Sequence, residues 1–120
     1  MSQEENVKRI IQVMEWFPGC TLGLPRQVGK TEAIIRMVHD EDGLAAIVTP
    51  RACMADEILG RYAKMYPGER VPLVTSNVTS LRGQLLKVFV DEPWFFREED
   101  MKQLGGIRGK IVGRIGTPDW

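Results

Sequence analysis

Residues 23–31 constrain the fold of this 120-residue chain more than any other segment. Gly29, Lys30 and Thr31 follow a short strand-like stretch and come directly before a helical pattern of apolar residues. The backbone N–H groups of such a loop, with the N-terminus of the following helix, attract phosphate oxygens. A glycine just before the lysine lets the backbone approach the phosphates closely. The segment therefore predicts a phosphate-binding loop between a strand and a helix.

The spacing of this loop differs from the regular pattern G-x-x-x-x-G-K-[ST]. The regular pattern asks for glycine at the position of Leu24, whereas the nearest glycine is Gly23. In the regular loop the lysine reaches the β- and γ-phosphates of the nucleotide, and the serine or threonine hydroxyl binds Mg²⁺. By the same chemistry we expect Lys30 to bind phosphates and Thr31 to bind the metal.

Apolar residues along the chain alternate between strand-like runs and helical spacing. The runs predict strands at residues 21–24, 44–49, 71–75, 85–90 and 110–115. Helical spacing predicts a helix before the first strand and helices in three of the connections, while the polar residues 76–83 are expected to form a loop. Strands that alternate with helices need crossover connections, so the sequence predicts one α/β domain with a mostly parallel sheet.

Composition indicates a soluble globular protein without a general attraction for nucleic acid. Hydrophobic residues make up 43% and charged residues 27% of the chain, and the formal net charge is zero. Contacts with DNA must then be local or shared among subunits. We expect no signal peptide, because no apolar run follows a basic start, and no membrane partner. Cys20 and Cys53 are expected to be buried thiols in a reducing cytoplasm.

Polar residues follow four of the predicted strands, at Lys30, Thr49-Pro50-Arg51, Asp91-Glu92 and Thr117-Pro118. Ligands of open parallel sheets bind beyond the carboxyl ends of the strands, so we expect these segments to meet there. Asp91 would bind Mg²⁺ or its water, and Glu92 would orient and polarise an attacking water. The alternative is a strand that simply ends in solvated acids.

Residues 26–31 read Arg-Gln-Val-Gly-Lys-Thr and resemble the loop of phage large-terminase ATPase domains, which lacks the early glycine and reads Arg-Gln-x-Gly-Lys-[Thr/Ser]. Residues 88–92 look like the family's metal-and-base strand, and residues 116–118 look like its coupling motif. More distantly, the chain resembles the first motor domain of superfamily-two helicases. In those proteins, the element similar to residues 49–51 contacts a nucleic-acid backbone.

The resemblance implies a P-loop NTPase three-layer fold that binds ATP with Mg²⁺ and hydrolyses it to ADP and phosphate. Arg26 would stabilise charge on the transferring phosphoryl group, a task that suits a planar and permanently charged side chain. A surface arginine in a polar loop is the alternative. Thr117 would sense the γ-phosphate. The implied nucleotide-binding residues are Arg26, Gln27, Val28, Gly29, Lys30 and Thr31.

The resemblance also implies a viral DNA-packaging or remodelling motor in minimal form, located in the host cytoplasm. The nuclease domain, late strand and lid of terminases have no counterpart in the 120 residues. We therefore expect a homo-oligomer or a larger motor complex, in which a neighbouring subunit supplies an arginine finger. The candidates for that role are Arg82, Arg97, Arg108 and Arg114.

Two other functions stay open at the level of sequence. Trp94, Phe95 and Phe96 either fold back onto the core or form a partner surface, which would suit a nucleotide-gated interaction module with little turnover. A small-molecule phosphotransferase would need a lid and an acceptor pocket, and the sequence shows no arginine-rich lid segment.

Overall fold

Parallel strands form one sheet in the order β1-β5-β4-β2-β3. The computed structural model describes residues 2–26, 28–41, 44–81, 83–84, 86–107 and 110–118. This sheet confirms the predicted parallel α/β class, and β5 lies between β1 and β4. The strands are β1 (Thr21–Gly23), β2 (Ala45–Val48), β3 (Leu73–Thr75), β4 (Lys87–Asp91) and β5 (Ile111–Gly116).

The helices are α1 (Gln3–Trp16), α2 (Lys30–Asp40), α3 (Ala52–Met65) and α4 (Glu98–Gly105). The first begins at a side-chain cap, because Ser2 Oγ accepts a hydrogen bond of 3.2 Å from the backbone N–H of Glu5. Arg36 of α2 then joins α2 to α1 by donating two hydrogen bonds, of 2.9 and 2.8 Å, to the carboxylate of Glu4. This bidentate pair joins the first turn of α1 to the middle of α2.

Side chains that alternate along the central strands separate two apolar layers. On one face, Ile47 and Phe89 pack against α1, α2 and α3. On the other face, Val48 and Val88 pack against α4 and a short 3-10 helix, Val78–Leu81. Helices on both faces of the sheet make the predicted three-layer arrangement, and they cover a sheet whose second strand is buried along its whole length.

Two local predictions are wrong. Residues 76–83 are not simply a loop, because Val78 and Leu81 lie three residues apart in the 3-10 helix and are each 1% exposed. Asn77 begins this turn by accepting a hydrogen bond of 3.1 Å from the N–H of Thr79. Cys53 is exposed at the start of α3, whereas a buried thiol was expected. In the described part of the chain, no helix has the length and apolar character needed to cross a membrane.

Candidate active site

A cavity of about 310 Å³ opens at the carboxyl edge of the sheet. It brings the start of α2 together with the end of β4 and the first half of α3. The sequence predicted that residues 30, 49–51, 91–92 and 117–118 would meet. Lys30, Arg51, Asp91 and Glu92 line this cavity, whereas residues 117 and 118 do not. Its lining consists of Lys30, Thr31, Arg51, Met54, Glu57, Ile58, Asp91, Glu92 and Phe95.

The loop enters α2 through a glycine in the left-handed conformation. Gly29 has φ 91° and ψ 23°. A Cβ atom added there would lie 2.6 Å from Val7 Cγ2 and 3.3 Å from Gln3 Cγ, so both the backbone conformation and the close packing of α1 require glycine. Helix α1 therefore supports the loop from behind.

The ammonium group of Lys30 closes the loop on itself. Its Nζ donates a hydrogen bond of 3.0 Å to the carbonyl oxygen of Pro25, and this bond is exposed. A phosphate oxygen is a stronger acceptor than a neutral carbonyl, because the hydrogen bond is then assisted by charge on both sides. Lys30 is thus held near the position where a phosphate could replace Pro25 as its acceptor.

The other predicted loop residues have different surroundings. Arg26 is exposed and is not among the residues that line the cavity. Val28 is half-buried and packs against the core beneath α1 and α2. Gln27 lies outside the described residues, as do Arg82 and Arg108.

A second cavity of about 450 Å³ adjoins the same loop on its outer side. Gln3 of α1 and Arg61 of α3 line it together with the residues at the start of α2. Sequence reasoning missed these two side chains because each lies in a different helix, far along the chain from the loop. Helical periodicity marks them only as outward-facing polar positions.

Asp91 is a buried carboxyl group in the cavity that Lys30 and Thr31 line. It is 4% exposed, and its Oδ2 accepts a hydrogen bond of 3.1 Å from Thr49 Oγ1. Burial raises the pKa of Asp91 to about 7, and the neighbouring charge of Glu92 contributes to the rise, while the Thr49 hydrogen bond and the Lys30 charge oppose it. A cation bound in the cavity would favour the ionised form of Asp91 further.

Thr49 therefore has a different environment from the one its sequence motif predicted. Its side chain is buried and bonded to Asp91, which does not fit the expected contact with a nucleic-acid backbone. Arg51, two residues later, is exposed and remains available for that contact.

Glu92 adopts a strained backbone conformation that β5 stabilises. With φ 53° and ψ 59°, it is the one non-glycine residue with positive φ among those described. Its N–H donates a hydrogen bond of 2.9 Å to the carbonyl of Ile115, and its Oε2 accepts one of 3.2 Å from the N–H of Thr117. A Cβ atom on Gly116 would lie 2.8 Å from Glu92 Cα, so the glycine permits this contact.

The oxygen atoms of the cavity suit Mg²⁺ that arrives with a nucleotide. Thr31 and Asp91 offer a hydroxyl and a carboxylate to the same volume. The described ranges contain no group of three or more His, Cys, Asp and Glu side chains that could hold a metal. Mg²⁺ in nucleotide sites usually needs only one or two carboxylates, because waters and phosphate oxygens supply its other ligands.

A groove of about 390 Å³ lies at the same edge of the sheet, beyond β2 and β3. Arg51 lines both this groove and the cavity that contains Asp91. Of the two described arginine-finger candidates, Arg97 is exposed in the groove, and Arg114 is half-buried within β5. The full lining is Pro50, Arg51, Ala52, Ser76, Asn77, Arg97 and Asp100.

The aromatic residues after Glu92 divide between the surface and the core. Trp94 and Phe95 are each 43% exposed, whereas Phe96 is half-buried and packs against the layer that contains α4. Trp94 also covers the end of β1, because a Cβ atom on Gly23 would lie 3.3 Å from its Cη2 atom. Phe96 thus folds back onto the core, as one alternative predicted, and the partner surface stays a prediction.

Comparison with known proteins identifies the fold. No protein-family model matches the sequence, and a search of curated proteins finds no significant match. Among solved structures, the chain is similar to the Sulfolobus solfataricus SWI2/SNF2 ATPase core in complex with dsDNA, with a TM-score of 0.62 and 16% identity over 97% of this chain. The chain spans 31% of the length of that chain. This likeness shows that the chain shares the α/β fold of part of that ATPase core, and the resemblance to terminases stays a prediction.

Proposed function

We propose that this chain binds ATP with Mg²⁺, hydrolyses it to ADP and phosphate, and belongs to a motor that acts on DNA. The observation that carries the proposal is the cavity in which Lys30 and Thr31 meet Asp91 and Glu92. A lysine and a backbone loop that bind phosphate, combined with two carboxylates of different roles, are the parts that nucleotide hydrolysis needs. The ATPase-core fold agrees with this assignment.

Phosphate binding falls to the loop and Lys30. The N-terminus of α2 directs backbone N–H groups and the positive end of its dipole towards the loop. Lys30 would exchange its bond with Pro25 for bonds to the β- and γ-phosphates. Arg26, which is exposed on the same loop, would approach the phosphates only if the loop closed around them.

Thr31 and Asp91 would hold Mg²⁺. The ion neutralises charge on the phosphates when it is bound. Asp91 would contribute the oxygen that does not bond to Thr49, since Oδ2 already accepts the Thr49 hydroxyl.

Glu92 is the group best placed to polarise the attacking water. Its carboxylate lines the cavity, and the N–H of Thr117 holds Oε2. The other oxygen, Oε1, is then available to accept a proton from water. Because Thr117 directly follows β5, a shift at the end of that strand would move the carboxylate. This connection gives the proposed coupling role of Thr117 a physical basis.

DNA would bind in the groove that Arg51 and Arg97 line. Two exposed arginines together with the polar side chains of Ser76 and Asn77 can bind backbone phosphates without reading base sequence. Arg51 also borders the nucleotide cavity, so it would connect the two sites. Local binding of this kind agrees with a chain whose net charge is zero.

Phosphate release measured with Mg²⁺ and ATP tests the proposal. We expect release that stops on addition of EDTA and rises on addition of double-stranded DNA. Arg97→Ala should reduce the stimulation by DNA while leaving the affinity for ATP unchanged, because Arg97 lines the groove but not the nucleotide cavity. A chain that neither binds nor hydrolyses ATP would contradict the proposal.

A nucleotide-gated interaction module is the second candidate. The observation that favours it is the exposure of Trp94 and Phe95 directly beside Glu92. Such a module would bind ATP with Mg²⁺ but release little phosphate at any concentration of DNA. The same measurement therefore separates the two functions.

We also propose that several copies of the chain assemble and act together on DNA. The loop of residues 26–31 supports a terminase-like motor in which several copies act together. An arginine finger from a neighbour is worth about 10³–10⁵ in rate where it operates. We therefore expect specific activity to rise with protein concentration, or with DNA. Activity per chain that stays high and constant across a wide dilution series would show a self-sufficient monomer.

A further inference from the structure

We propose that Thr49 is a positioning residue that holds Asp91 in the orientation needed to bind Mg²⁺. This inference rests on the proposed function, because it concerns the metal of the same site. Thr49 does not line the cavity, so its effect would pass through Asp91.

Sheet register brings the two side chains together. Strands β2 and β4 are parallel neighbours in which Val48 pairs with Val90. Thr49 directly follows Val48, and Asp91 directly follows Val90. The two residues are therefore opposite each other, one position beyond the last pair of the β2–β4 register. The hydrogen bond from Thr49 Oγ1 to Asp91 Oδ2, at 3.1 Å, is the side-chain counterpart of that pairing.

The backbone of Thr49 is bound to β3, which lies on the side of β2 opposite to β4. Its N–H donates a hydrogen bond of 3.0 Å to the carbonyl of Thr75, the last residue of β3. Thr49 therefore has its backbone bound to one neighbouring strand and its hydroxyl bound to the other. A β-branched side chain has few accessible χ1 rotamers, so a fixed backbone also fixes the hydroxyl.

A carboxylate needs such a partner more than most groups do. The χ2 torsion of aspartate is broad, and an aspartate without a bonded oxygen can present either oxygen over a range of angles. Thr49 and Asp91 are both buried, at 0% and 4% exposed, so water competes little for the bond. With Oδ2 held by Thr49, Oδ1 is the oxygen left to bind the metal, and the bond to Thr49 limits its orientation. Partners of this kind typically contribute 10–100-fold to metal affinity.

The test measures how binding of a non-hydrolysable ATP analogue depends on Mg²⁺ concentration, by calorimetry and without DNA. Thr49→Val keeps the shape of the side chain but removes the hydroxyl, and Thr49→Ser keeps the hydroxyl. We expect Thr49→Val to raise the Mg²⁺ concentration for half-maximal enhancement of binding about 10–100-fold. Thr49→Ser should restore it to within a few-fold of the parent, and affinity in EDTA should stay unchanged in both variants.

Two controls distinguish an effect on the orientation of Asp91 from a general disturbance of the local structure. Thr75→Val removes a hydroxyl from the end of the neighbouring strand, where it accepts the N–H of Asn77 at 3.0 Å, and it should leave the Mg²⁺ dependence unchanged. In an Asp91→Asn background, Thr49→Val should have no further effect, because its action passes through that carboxylate. If Thr49→Val does not fold, Thr49→Ala serves the same comparison.

The outcomes distinguish this inference from the proposed function. A parent chain that binds the analogue with no dependence on Mg²⁺, or does not bind it, would overturn both. A parent with clear Mg²⁺ dependence that Thr49→Val shares would overturn the role of Thr49 alone. Equal losses in Thr49→Val and Thr49→Ser would overturn it as well, because the hydroxyl would then not be the cause.

Discussion

The two halves of the candidate site are held in different ways. On the loop side, Lys30 has one exposed hydrogen bond, to the carbonyl of Pro25. On the acidic side, Asp91 and Glu92 each accept a hydrogen bond from the residue that directly follows a neighbouring strand, Thr49 after β2 and Thr117 after β5. The carboxylates are therefore fixed by the sheet itself, whereas the lysine is free to change its acceptor.

This difference indicates what each half contributes. A group that rearranges on binding can follow its ligand, which suits phosphate capture. A group that must polarise water benefits from a fixed position, because small displacements are costly in rate. Fixing the acidic half costs free energy, because the backbone of Glu92 is strained and the carboxyl group of Asp91 is buried.

Glu92→Gln should have the largest effect on hydrolysis. The amide keeps the shape of the side chain but accepts no proton, and general-base catalysis is typically worth about 10²–10⁴-fold. We expect kcat to fall by that factor while affinity for ATP changes little. Glu57→Gln removes another carboxylate from the same cavity, one that the N–H of Thr117 does not hold, and should reduce kcat less than about fivefold. Equal effects of the two variants would show that total charge, not a base, matters.

Lys30→Ala should act on binding instead. Hydrogen bonds to charged groups are worth about 1.5–3 kcal/mol, so affinity for ATP should fall about 10–100-fold. Because the present bond of Lys30 is exposed, the free energy of unfolding should change by less than about 0.5 kcal/mol. Lys102→Ala removes an exposed lysine of α4 and should change neither quantity. If calorimetry shows that Lys30→Ala binds ATP as tightly as the parent, the loop does not bind the phosphates.

Gly116→Ala tests how rigidly the acidic half is held. The new Cβ atom would lie 2.8 Å from Glu92 Cα and 2.9 Å from Pro93 Cδ, so the turn must shift. We expect kcat to fall about tenfold, within the roughly 10²-fold that a 1 Å displacement can cost, with affinity for ATP retained. Gly60→Ala is the matched control, because its Cβ atom meets nothing within 4 Å on α3. A Gly116→Ala variant with the parent's kcat would show that the turn is adaptable.

Asp91→Asn should also change the stability of the fold. Because the native pKa of Asp91 is raised to about 7 from an ordinary value of 3.8, the native state binds the proton more tightly than the unfolded state. Stability from this group is fully present below about pH 4 and is lost as the pH rises towards 7. Removing the charge should then increase the free energy of unfolding by roughly 1–3 kcal/mol at pH 8, less at pH 5.

Urea unfolding at pH 5 and pH 8 measures this difference. Asp56→Asn, which removes an exposed carboxylate from α3, should change stability little at either pH. A stabilisation by Asp91→Asn that is equal at the two pH values would contradict the raised pKa as its cause.

The sequence was sufficient for the centre of the sheet because β2 and β4 are short apolar runs buried on both faces. Ala45–Val48 is buried at every position, and such a run leaves little choice of element. The sequence was also sufficient to predict that Lys30 and Asp91 lie close together, because the carboxyl ends of parallel strands share one edge of the sheet. Pattern reasoning missed the core contribution of Val78 and Leu81, since two apolar residues in a polar segment give no period to detect.

The contacts between strands could not be predicted. That Thr49 bonds to Asp91 depends on β2 lying beside β4, and the strand order is a tertiary property. The bond from Thr117 to Glu92 likewise depends on β5 lying between β1 and β4. The sequence indicated which residues carry chemistry, whereas the sheet order decides which of them act on one another.

A structure with Mg²⁺ and a non-hydrolysable ATP analogue tests the central claim most directly. We expect Lys30 Nζ to leave Pro25 and lie within hydrogen-bonding distance of the γ-phosphate, with the metal beside Thr31 and Asp91. Glu92 should keep its bond to the N–H of Thr117. A nucleotide bound elsewhere, or a Lys30 that still bonds to Pro25 beside the bound phosphates, would contradict the assignment of this site.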